Sequence, residues 1–272
     1  MTFKLGNRQS LPAARVLRTG HVIYWWLEVL MIICFYFVYS AVRNANEGGT
    51  IHAFHNAKRV IDWQQALGIW HEETLQDWAQ HWKVLIVTAN YFYGSLHFVV
   101  TISAGIFLFR KFSNDYPRFR NTLAITTAIA LIGFVTFPLM PPRLLDAMPG
   151  QDYGFTDTLA QYPTFWSFNS GAVSKISNQY AAMPSVHVAW ATWTALVFVP
   201  RVRFRWERVL AVLYPIFTVI VIVITANHYL LDAVGGIVVL AAGYFLAQLF
   251  TRAGRGDPVE AAVETETTPS PT

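Results

Sequence analysis

The sequence predicts an all-α integral membrane protein: a bundle of six transmembrane helices with extracytoplasmic interfacial helices and both termini in the cytoplasm. Three observations predict it. The 272 residues are 54% hydrophobic and only 13% charged, about half the charged share of an ordinary soluble domain. The apolar residues fall into runs of about twenty, the length a helix needs to cross a hydrocarbon layer of roughly 30 Å. The basic residues cluster between those runs, so the net charge of +4 reflects membrane topology, and no nucleic-acid partner is expected.

The runs place spans at residues 22–42, 84–109, 123–140, 185–199, 209–226 and 228–250, with the fourth short by itself. The first lacks a clear small-residue cleavage site and is read as retained. With a cytoplasmic N-terminus, the inner segments (1–21, 110–122, 200–208 and the tail) hold 14 of the 20 Lys and Arg residues. That is the bias the positive-inside rule requires. The chain therefore divides into a basic N-terminus (1–21), a membrane domain (22–250) and a tail (251–272). The Pro, Thr and Glu content of the tail from Gly254 onward predicts disorder. The single cysteine, Cys34, excludes an internal disulfide and any multi-cysteine metal centre. No internal repeat is found.

Two outer segments, 43–83 and 141–183, are long enough to carry structure. In the first, Trp63, Leu67 and Trp70, then Leu75, Trp78 and Trp82, recur at helical spacing. Such Trp-rich amphipathic helices anchor in the headgroup layer, and a role in guiding a lipid substrate is the alternative. The second is rich in Pro, Gly and aromatics and is expected to cover part of a site.

Ionisable groups at membrane depth cost several kcal/mol unless paired or functional, and four places carry them. Met183-Pro184-Ser185-Val186-His187 opens the fourth span, with Pro184 predicted at the first helical position. Asn227-His228-Tyr229-Leu230-Leu231-Asp232 opens the sixth, and the four-residue spacing puts His228 and Asp232 on one helix face. Pro141-Pro142-Arg143 ends the third. Asn90, Tyr93, His97 and Thr101 form a polar stripe in the second, read either as interhelical hydrogen bonding or as a headgroup or acceptor site.

Under the assigned orientation the first three places converge on the outer face. Two helix N-termini meeting there offer unsatisfied N–H groups, and Arg143 offers a bidentate fork, so the expected ligand is an oxyanion. Two histidines supply a nucleophile and an acid, and a carboxylate one turn from a histidine fixes its tautomer. Glu28, within the first span, is given no role.

These residues resemble the type 2 phosphatidic acid phosphatase superfamily, whose members carry Pro-Ser-x-His and then His-x-x-x-Asp. The stretch from Asn178 to His187, with Asn227-His228-Tyr229 and Pro141-Pro142-Arg143, is similar to the branch containing inositol phosphorylceramide synthase. The resemblance covers residues 56–243. It implies that His228 attacks phosphorus to form a phosphohistidine while Asp232 orients it. His187 protonates the leaving oxygen and later activates the acceptor, and Ser185 and Arg143 hold the phosphoryl oxygens. Asn227, Tyr229, Tyr93, His97 and Asn90 are the further substrate-binding candidates. No metal or other cofactor is implied. The expected partners are membrane lipids, a phospholipid donor and a lipid or alcohol acceptor; no oligomeric state is assigned.

The sequence departs from the phosphatase pattern at two cationic positions. Thr136 stands where the first motif has Lys, with Leu144 after Arg143 where Pro belongs, and Val221 and Ile222 stand where the third motif has Ser-Arg. A phosphomonoester carries about −1.5 to −2 charges near pH 7 and a diester about one, so a site short of cations suits a diester. Lys175 is a possible replacement cation. This favours transfer of a phospho-headgroup between lipids over simple dephosphorylation, and the site is expected at the outer face of a bacterial plasma membrane. A phosphatase of the same superfamily is the alternative, and a non-enzymatic transporter or scaffold the more distant one.

Overall fold

The computed structural model describes residues 14–18, 22–45, 49–164 and 179–253. The chain enters through a hairpin the sequence does not announce: β1 (Ala14–Val16) pairs antiparallel with β2 (Val22–Tyr24), Arg15 opposite Ile23. Ile23 packs against the core cluster that contains Tyr116 and Phe119, and pairing satisfies the strand amides. The first long helix, α1 (Trp25–Ala45), therefore begins three residues after the predicted start at Val22. Glu28 on α1 is buried and accepts from Arg120 Nη1 at 2.6 Å and from the Tyr116 hydroxyl at 3.1 Å. An isolated carboxylate at that depth needs such a partner.

The first outer segment folds into α2 (Thr50–Ala66) and α3 (Glu72–Gln80). Trp63, Leu67, Leu75, Trp78 and Trp82 are exposed, while Asn56, Gln64, Glu72 and Gln76 face inward. Trp70 departs from the exposed set: it packs on Phe155 and Tyr229.

The second span is continuous over Lys83–Lys111, made of α4 (Lys83–Tyr91), a π turn (Phe92–Leu96) and α5 (His97–Lys111). A π turn inserts one residue into the helical register. It lets Tyr93 and His97 face the interior cavity described below while Asn90 faces elsewhere, which breaks the predicted single stripe. The third helix, α6 (Tyr116–Thr136), starts and stops earlier than the predicted 123–140. Pro117 suits the first turn of a helix, whereas Pro138 lacks an amide proton and biases Phe137 away from helical geometry. The segment after α6 is instead pinned by Asn56 Nδ2 to the Pro138 carbonyl (2.8 Å), Leu139 N to Tyr180 O (2.7 Å) and Met140 N to Ala53 O (3.2 Å). A 3-10 turn (Pro142–Ala147) and the single-turn α7 (Thr158–Gln161) follow.

The last three helices are α8 (Val186–Phe198), α9 (Arg205–Ile224) and α10 (Leu230–Ala253). Among the described residues five helices are long and apolar enough to cross a membrane, and α8 is apolar but shorter; its thirteen residues rise about 20 Å. The protein is thus a mainly helical membrane protein. α10 packs chiefly against α6 and α8. Two glycines permit the approach: a Cβ at Gly236 would collide with the Ser185 carbonyl, and one at Gly243 with Thr126. Small residues let membrane helices come this close, and at Gly236 the contact brings the start of α8 onto the start of α10.

Candidate active site

Ser185 is the N-cap of α8 and its Oγ accepts from Val188 N at 3.5 Å. Pro184 precedes the cap and is not the first helical residue as predicted, because a capping hydroxyl takes that boundary. His187 is the second residue of the helix. Ser185 N donates to the Asp232 carbonyl at 2.9 Å, a main-chain tie between the two histidine motifs.

His228 lies in the turn between α9 and α10, just ahead of the helix predicted to contain it. The turn is set by Ala226 at φ 50°, a left-handed conformation that costs a non-glycine residue about 1–2 kcal/mol. Such strain gathers at functional sites. His228 still reaches Asp232: Nδ1 lies 3.2 Å from Asp232 Oδ2, which also accepts from Tyr229 N at 3.0 Å. Asp232 is fully buried, and its Oδ1 has no partner among the described residues. With Nδ1 engaged by the carboxylate, Nε2 is the ring nitrogen left facing away from Asp232.

The two imidazoles stand 5.5 Å apart, centroid to centroid, at an interplanar angle of 64°. One phosphoryl group can touch both. Tyr93 stacks on His187 at 4.3 Å, and His97 meets its edge at the same distance. His97 is itself held by Nδ1–H donating to the Tyr93 carbonyl (3.1 Å).

Arg143 is buried across from them. Its Nε donates to Asn227 Oδ1 (3.0 Å), Nη1 to Asp157 Oδ2 (2.9 Å) and Nη2 to Gln179 Oε1 (3.4 Å). The predicted free fork is therefore already engaged, because a buried guanidinium without partners would be severely destabilising. Asp157 and Gln179 are the residues sequence reasoning missed; Asp157 leaves one local trace, as the cap of α7.

Arg143, His187, His228, Asn227, Tyr93 and His97 all line one cavity of about 1520 Å³. Three predicted binding residues do not. The carboxamide of Asn90 is occupied by Thr158, donating to its carbonyl (2.8 Å) and accepting from its hydroxyl (3.1 Å). The Tyr229 hydroxyl donates to the Met140 carbonyl (3.0 Å), holding the segment that leads to Arg143. Ser185 is fully buried under the start of α8. Nor are the first amides of α10 open to an oxyanion, since side chains occupy them. Val221 and Ile222 are buried among apolar residues, so no cation replaces the missing pair there, and Lys175 falls outside the described residues.

A family model for the PAP2 superfamily matches residues 58–246, more than half of the chain and a span that includes Arg143, both histidine motifs and Asp232. No curated protein and no solved structure matches the sequence. With a site of two facing histidines, a buried aspartate and a buried arginine inside that span, the chain belongs to the PAP2 superfamily, whose members are generally phosphatases and phosphotransferases.

Proposed function

We propose that this protein is a lipid phosphotransferase that moves a phospho-headgroup from a phospholipid diester to a lipid or alcohol acceptor, in the manner of inositol phosphorylceramide synthase. His228 Nε2 attacks phosphorus, and the bond from phosphorus to the lipid oxygen breaks. His187 delivers a proton to that oxygen, so a neutral lipid alcohol leaves and the phospho-headgroup stays on His228. The acceptor hydroxyl then attacks phosphorus, its proton passes to His187, and the P–N bond breaks. Protons balance over the cycle. Asp232 holds the reactive tautomer and stabilises the charge that develops on His228. Arg143 faces the phosphoryl oxygens.

The observation that carries this reading is the pairing of one cation with a long apolar cavity. Among the described residues Arg143 is the sole Lys or Arg lining the histidine end; the other lining cations, Arg15, Arg110 and Arg120, belong to the opposite end. From His97 to Arg110 along α5 is about 20 Å, and the wall between includes Phe98, Ile102, Ile106 and Trp190. The volume exceeds the roughly 300–1,000 Å³ of an ordinary small-molecule pocket. A single positive charge suits a monoanionic diester, and apolar walls suit acyl chains. The basic loops support a histidine end facing away from the cytoplasm.

The test is to incubate purified protein with headgroup-labelled phosphatidylinositol and ceramide or diacylglycerol and separate the products. A new labelled lipid is expected. Release of only water-soluble labelled phosphate or inositol phosphate overturns transfer in favour of hydrolysis. Asp157 supplies a second prediction. Asp157→Asn keeps the cap on α7 but removes the carboxylate that competes with phosphate for Arg143, an ion pair with Asp157 about one-fifth exposed. At about 1 kcal/mol for such a pair, inhibition by orthovanadate is expected to tighten roughly fivefold. Unchanged or weaker inhibition contradicts that competition.

A further inference from the structure

The first turn of α10 is held from outside the bundle. Leu230 N donates to Glu72 Oε1 at 2.9 Å, and Leu231 N donates to Gln64 Oε1 at 2.9 Å. Gln64 Nε2 donates to the same Glu72 oxygen at 2.5 Å, and Glu72 Oε2 accepts from His71 N at 3.1 Å. Glu72 is 1% and Gln64 0% exposed. Together with Tyr229 N on Asp232, three successive amides at the start of α10 are each held by a side chain. Helices ordinarily find such caps among their own neighbours; here two come from α2 and α3, more than 150 residues earlier.

The arrangement has a mechanical and an electrostatic consequence. Two fixed acceptors on adjacent amides set the tilt and roll of the turn that carries Asp232, and Asp232 sets the ring of His228. A carboxylate at the positive end of the α10 dipole also keeps the field behind the imidazole from turning positive, which preserves a nucleophilic Nε2. Burying a carboxylate is costly unless it is fully hydrogen-bonded, and Glu72 meets three donors.

We propose that Glu72 and Gln64 are positioning residues for His228, a role that rests on reading His228 as the nucleophile. An amide at position 72 cannot accept all three donors: with its oxygen kept on Leu230 N and Gln64 Nε2, its NH2 is forced against His71 N, which turns the side chain off its seat, and the negative charge behind the imidazole is lost in either orientation. Misplacement of a reacting group by about 1 Å costs on the order of 100-fold in rate, and by analogy with metal centres, where partners that orient a ligating side chain are worth about 10- to 100-fold, a loss of that order is expected here. Glu72→Gln in the full-length protein is therefore expected to lower kcat for labelled phosphatidylinositol by about 10- to 100-fold, with KM within about twofold of wild type. Gln64→Met, which removes one acceptor at similar volume, is expected to lose less in the same pattern. Asp77→Asn, which removes an exposed charge from the same helix, is expected to match wild type.

Thermal unfolding in detergent accompanies each assay. A kcat loss at unchanged KM and unchanged Tm supports positioning. Wild-type kcat in both variants overturns it, as does a parallel change in kcat, KM and Tm, which marks general loosening. If Glu72→Gln does not fold, Gln64→Met alone decides by the same criteria. A His228→Asn variant separates the two levels of the account. Activity in that variant overturns the phosphohistidine reading itself, whereas an inactive His228→Asn beside fully active Glu72→Gln and Gln64→Met overturns only the positioning role.

Discussion

His228→Asn is expected to reduce turnover by about 10⁴-fold or more while the protein still folds, since losing the nucleophile of a cooperating set removes nearly all of its catalysis. Asparagine is the informative replacement. Its amide nitrogen can approximate Nδ1 and keep a donor on Asp232, whereas alanine would leave a fully buried carboxylate with only the Tyr229 amide on one oxygen and, among the described residues, nothing on the other. Breaking a buried pair in that way costs about 3–5 kcal/mol and would confuse lost chemistry with lost folding. Steady-state assay beside a detergent melting curve separates the two. Appreciable turnover by a folded His228→Asn protein is incompatible with the mechanism.

His187→Asn is expected to show a loss that depends on the leaving group. General acid catalysis contributes about 10²- to 10⁴-fold, so turnover of a lipid donor with an alkoxide leaving group should fall by that range. A donor bearing p-nitrophenolate, which departs without a proton, should still phosphorylate His228 at a rate much closer to wild type. Because the same imidazole activates the acceptor, the second step remains slow and labelled enzyme should accumulate. Rapid quench with the two donors measures this. Equal losses on both would show that His187 does not act as the acid.

The membrane class and the two histidine motifs were legible because their signals are local. Apolar runs of sufficient length identify spans without neighbours, and Pro-Ser-x-His and His-x-x-x-Asp place each reactive group within one turn of its support. Helix ends were less legible. Hydropathy continues through Phe137 and Leu139, but Pro138 stops the helix; it likewise counts Val22 as span, though strand pairing takes that residue first. The π turn at Phe92–Leu96 left only Gly94 and Ser95 as a weak interruption of an apolar run. Least legible were the polar contacts made across the chain. Arg143 had a clear identity but hidden partners, Asp157 and Gln179, and the acceptors that cap α10 sit on helices whose exposed Trp residues pointed to the membrane surface instead. Periodicity reports which face of a helix is apolar; it does not report which distant amide a buried Glu72 will meet.

The most direct test of the central claim is to mix the enzyme with phosphorus-labelled phosphatidylinositol, quench within a single turnover, and map the labelled peptide by mass spectrometry under alkaline conditions that preserve phosphohistidine. The account predicts an inositol-phosphoryl group on His228, absent from His228→Asn and discharged to product when acceptor lipid is added. Label on another residue, or rapid product formation with no covalent enzyme species at any time, would contradict it.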